Sequence, residues 1–133
     1  MSMRGKVLVG SVLAVAVFSG HALAQTAEGY AASGTECKDV FVKTKDGVKF
    51  SPRADPFAPA FIVKGKALST PVATCRLQRS SAKGDVREFH FECKNAISFA
   101  PVTVFFRRGD NGSLIRFTSA DETVGSPYSR CNL

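Results

Sequence analysis

The residues best placed to do chemistry are Glu88, His90 and Glu92, which alternate with Phe89, Phe91 and Cys93. Successive side chains of an extended strand point to opposite faces, so the two carboxylates and the imidazole share one face. Negative charge on either side favours the imidazolium form, and a positioned imidazolium is a general acid. The same alternation is what a half-buried strand shows without any catalysis. His90, Glu88 and Glu92 are therefore candidates in a chain whose balance falls against an enzyme.

A second set is basic and aromatic. Arg107, Arg108 and Arg116 lie in Phe105-Phe106-Arg107-Arg108 and Leu114-Ile115-Arg116-Phe117. If these runs pair across a hairpin, they form a small cationic patch beside Phe106 or Phe117. Such a patch grips carboxylates or phosphates and stacks bases, which makes the three arginines the candidate binding residues. No serine stands in a nucleophile turn and no glycine-rich phosphate loop occurs. Neither a Cys-x-x-Cys pair nor clustered histidines offer a zinc site, so no metal and no cofactor is expected.

The elements that must position these residues are short strands. Val72 to Gln78 and Val86 to Cys93 read as a hairpin around Ser80-Ser81-Ala82-Lys83-Gly84-Asp85. Val40 to Lys43 with Val48 to Phe50, Phe61 to Val63, and Pro101 to Phe106 with Leu114 to Phe117 supply the rest. Lys45-Asp46-Gly47 and Gly109-Asp110-Asn111-Gly112 are turns in which Gly supplies cheap positive φ. The prolines Pro52, Pro56 and Pro59 exclude a central strand over Ser51 to Pro59 and leave Phe57 to tuck under that loop or stand exposed as a contact residue. With no sustained helical period, about seven strands predict an all-β fold, a small antiparallel β-sandwich or barrel stapled by two disulfides.

Residues 1–24 read as a signal peptide, with Arg4 and Lys6 before an apolar run and Ala22-Leu23-Ala24 before Gln25. Residues 25–36 read as a flexible lead-in, and 37–133 as one domain. Without the leader the 18 basic residues become 16 against 11 acids, a net charge of +5 in place of +7. The mature chain has no stretch long and apolar enough for a transmembrane helix. Export and an even cysteine count in a small chain imply two disulfides, with three connectivities open. A cross-strand Cys75–Cys93 bond sets Leu77 opposite Phe91 and Gln78 opposite His90, and leaves Cys37 to pair with Cys131.

His90 with a glutamate and an arginine resembles in kind the catalytic set of small secreted bacterial and fungal ribonucleases, which are also disulfide-bonded domains of about this size. That resemblance implies a small secreted hydrolase. In size, export and disulfide use the chain is also similar to periplasmic lysozyme inhibitors and to immunity proteins against secreted toxins. Its positive charge opposes docking on lysozymes, which are themselves cationic. The leading expectation is a periplasmic or secreted binding protein, an inhibitor, immunity protein or accessory subunit, with a protein partner of acidic surface. Nucleic acid and anionic envelope lipid are the other partners that the charge suits.

Overall fold

The computed structural model describes residues 25–133, so the expected leader over 1–24 lies outside the described residues. The strands are β1 (Glu28–Ala32), β2 (Phe41–Thr44), β3 (Gly47–Phe50), β4 (Ala60–Lys64) and β5 (Ala67–Ser69), followed by β6 (Thr74–Lys83), β7 (Val86–Lys94), β8 (Phe99–Arg108), β9 (Leu114–Phe117) and β10 (Ser126–Arg130). Eight of them close an antiparallel barrel in the order β1-β10-β9-β8-β7-β6-β5-β4, with β4 returning to β1. The fold is thus all-β and barrel rather than sandwich, and closure removes every sheet edge among those eight strands. The remaining pair, β2 and β3, forms a hairpin beside one turn of helix, α1 (Cys37–Val40). Among the described residues no helix is long and apolar enough to cross a membrane.

Two cores result. Inside the barrel Tyr30, Phe61, Phe106 and Tyr128 are buried together. Phe61 is the hub, with ring centroids 5.2 Å from Tyr30, 5.5 Å from Phe106 and 5.1 Å from Tyr128. Outside the barrel, α1 and the β2–β3 hairpin pack Val40 and Phe41 on the small outer residues Ala27, Ala31 and Ala60, with Ile62 and Cys131. The Cys37–Cys131 disulfide joins α1 to the residue after β10, and Cys75–Cys93 crosses β6 and β7.

Residues 25–36, expected as a flexible lead-in, instead supply β1, hydrogen-bonded between β4 and β10. Its alanines and glycine look poor in burial because the partner is large: a Cβ on Gly29 would stand 2.9 Å from the Phe41 ring. Gly29→Ala is accordingly expected to destabilise the protein by about 1–3 kcal/mol, the usual cost of overpacking. Chemical denaturation checks this, and an unchanged midpoint would show that the hairpin shifts freely.

The central hairpin also differs in part from its expected register. Cys75 opposes Cys93 and Leu77 opposes Phe91, but a bulge at Gln78 then puts Arg79, not Gln78, opposite His90. The bulge lets β6 run on to Lys83, so the turn shrinks to Gly84-Asp85, with Gly84 at φ 67. One extra residue in a strand accentuates twist and bends it, which a small barrel requires to close.

Candidate functional site

Of the predicted polar set, the β7 face brings His90 and Glu88 together. His90 Nε2 lies 3.1 Å from Glu88 Oε1, Lys83 Nζ lies 3.7 Å from Glu88 Oε2, and Thr103 Oγ1 lies 3.3 Å from His90 Nδ1. Glu92 stands further along, opposite Arg76 and Pro101. The His90 and Glu88 side chains retain 26% and 17% of their exposure. They sit on the outer wall of the barrel and line neither of the two cavities described below. A catalytic set needs a concave surface that holds the substrate against it, and neither of those two cavities brings one to His90.

The three arginines are separated by the barrel geometry. In the β8–β9 pair Phe106 opposes Arg116, Arg107 opposes Ile115 and Arg108 opposes Leu114. Arg107 points outward, 5.3 Å above the Phe117 ring and 3.3 Å from Asp85. Arg108 and Arg116 point inward at opposite ends of the barrel, each lining a different cavity. One patch holding all three does not form: Arg107 and Arg108 both line the first cavity and Arg116 lines the second.

Those two mouths are concave features of the described residues. The first, a cavity of about 880 Å³, opens where the β4–β5, β6–β7 and β8–β9 turns meet. Its rim carries Lys66, Arg87, Arg107, Arg108 and Arg130 against Glu28 and Asp85. Arg130 is 2.9 Å from Glu28, whose second carboxylate oxygen accepts the Tyr30 hydroxyl at 3.1 Å. The second cavity, about 560 Å³, opens at the other end beneath the proline-rich loop. Its lining is mostly apolar, with Lys94 and Arg116 as its charges and no carboxylate. Phe61 and Phe106 line both cavities and form the floor between them.

Phe57, 86% exposed, lines the second mouth with Val72 and Val102, and Ile97, 93%, and Phe99, 66%, flank Ser98, which also lines it. With Val124 and Leu133 they make up the exposed large apolar residues among those described. Sequence reasoning singled out only Phe57 as a contact residue. Ile97 and Phe99 flank a turn that the Asn95 side chain builds by accepting from the Ile97 and Ser98 backbone amides. That Asx turn, Asn95 to Ser98 with an isoleucine at its tip, was the missed signal.

Tyr30 ties the first mouth to stability. Its burial, then the charge of Glu28 and the hydrogen bond to it, raise its pKa above the ordinary 10.0, with Arg130 and Arg108 opposing. A raised pKa in the folded state contributes stability that is complete below the unfolded tyrosine value and is lost as pH rises through the folded one. Tyr30→Phe is expected to lose less stability than the wild type between about pH 9.5 and 11.5, around the tyrosine range. Urea midpoints across that window test this, and parallel curves would contradict it.

Comparison with protein-family models, curated proteins and solved structures finds no match to this chain.

Proposed function

We propose that this is a small exported binding protein, an inhibitor, immunity protein or accessory subunit, that works by protein–protein contact in the bacterial periplasm or after release. The observation that supports it is the exposed Phe57 and Val72 in the lining of the apolar mouth, with Ile97 and Phe99 exposed on either side of its Ser98. A contiguous apolar patch rimmed by polar residues is costly in water and is relieved when a partner covers it. The patch is also concave, so a protruding apolar loop of the partner can enter the cavity above Phe61 and Phe106. Lys94 and Arg116 line that cavity without a carboxylate, which suits a partner with an acidic flank.

The test is site-specific photo-crosslinking in the producing cells, with the reactive group at Phe99 and a control at Lys49 on the accessory hairpin. The reading expects an adduct with one acidic exported protein from Phe99 and none from Lys49. Equal adducts from the two positions, or none from Phe99, would contradict it. His90→Ala is expected to leave partner affinity unchanged; RNA turnover that disappears in this variant would instead establish the hydrolase.

A further inference from the structure

We propose that the basic end of the barrel is a binding site for a small amphipathic oxyanion, its carboxylate or phosphate held by Arg87 and Arg108 and its apolar body laid on Tyr30, Phe61 and Phe89. This site lies at the opposite end from the apolar rim and stands independently of the protein-contact reading.

Charge pairing at the rim leaves a surplus. Arg107 pairs with Asp85 at 3.3 Å and Arg130 with Glu28 at 2.9 Å, which accounts for both acids lining the cavity. Arg87, Arg108 and Lys66 line the same cavity and make no ion pair among the described residues. Three unpaired cations on one concave mouth concentrate a positive field there. An anion bound among them offsets that field.

The arrangement of the arginines suits one head group. Arg87 opposes Phe106 across β7 and β8, and Arg108 is two residues further along β8 on the same inner face. Such diagonal neighbours stand about 7–8 Å apart at the backbone, a spacing that two long guanidinium side chains close around a single oxyanion. Arginine's planar fork donates to carboxylate or phosphate oxygens in pairs, where an ammonium acts only as a point charge.

Below the cations the walls change character. Tyr30 stacks on Phe61 with an interplanar angle of 18°, and Phe89 lies against Phe106 with centroids 6.1 Å apart. A volume near 880 Å³ is far larger than an inorganic anion needs, and it falls within the span of about 300–1,000 Å³ usual for small-molecule sites. The aromatic floor makes the cavity blind-ended, unlike the open groove that tracks a nucleic-acid strand. An oxyanion head on a short apolar body fills both parts.

The test is calorimetric titration of the disulfide-bonded protein with decanoate, decyl phosphate, decanol and decyltrimethylammonium. Both anions are expected to bind, with decyltrimethylammonium and decanol weaker by about tenfold or more, the difference of one charge-assisted hydrogen bond. Arg87→Gln with Arg108→Gln is expected to weaken decanoate by about tenfold to a hundredfold on the same grounds. Circular dichroism should show that variant folded, since both side chains are exposed. Phe57→Ser with Phe99→Ser, at the other mouth, is expected to bind decanoate as the wild type does, so failure here and failure of the protein-contact reading are separable. Equal affinity for the cation, an unaffected arginine variant, or no binding of either anion would overturn the proposal. So would cosedimentation with phosphatidylglycerol vesicles in a protein that binds neither free anion, because the charge would then act only at a surface.

Discussion

Phe61→Ala is expected to lower the stability of the protein by about 3–5 kcal/mol, the range for removing a buried phenylalanine. Phe61 is 6% exposed and touches three aromatic rings contributed by β1, β8 and β10. Each such ring pair is worth about 0.5–1.5 kcal/mol beyond the area it buries, so the cost should sit in the upper part of the range. The position is also the floor between the two cavities, and its neighbours cannot close the gap without collapsing a mouth. Phe57→Ala is the control: at 86% exposure its loss should change stability by no more than about 0.5 kcal/mol. Paired denaturation curves decide the matter, and a Phe61 cost below about 1 kcal/mol, the gain of a single ring pair, would mean that the aromatic layer does not hold the barrel.

Removing the Cys37–Cys131 disulfide as Cys37→Ala with Cys131→Ala is expected to cost about 4–5 kcal/mol, more than removing Cys75–Cys93, at about 3 kcal/mol. The first bond spans 94 residues and the second 18, and closing the longer loop restricts the unfolded chain more. Packing adds to the difference. Cys131 belongs to the outer core through which α1 and the β2–β3 hairpin hold the barrel, whereas β6 and β7 are also joined by their own ladder from Thr74 to Lys83. Denaturation of the two double variants measures the order directly. A larger loss from the Cys75 and Cys93 variant would show that the short bridge carries the fold.

Several elements were legible because local chemistry and tertiary packing agree on them. The central hairpin, the β2–β3 pair and the β8–β9 pair all follow from alternation and from Gly-containing turns, and of the three connectivities open to four cysteines the structure has the one with Cys75–Cys93 across the hairpin and Cys37–Cys131. Three barrel strands were not legible. β1 is built on Glu28-Gly29-Tyr30-Ala31-Ala32, whose small residues fit only because Phe41 covers them from outside the barrel. β5 is three residues long and half-buried throughout, too short for a period to show. In β10, Ser126–Arg130, Tyr128 is the buried residue, and closure of the barrel rather than local propensity makes it a strand.

The site divided in the same way. The approach of His90 to Glu88 follows from spacing along one strand, so it could be read from sequence. Which arginines share a mouth depends on how eight strands close, and that relation spans the whole chain. Arg87 and Arg108, and the loops carrying Phe57, Ile97 and Phe99, become neighbours only in the finished barrel.

The proposal that the apolar mouth is the contact surface is tested most directly by the affinity of the acidic partner crosslinked through position 99, titrated against the wild type and against Phe57→Ser with Phe99→Ser. Exposed aromatic anchors at the centre of an interface commonly carry about 2 kcal/mol or more, so the double variant should bind at least about thirtyfold more weakly while remaining folded. Affinity equal to that of the wild type would contradict the account.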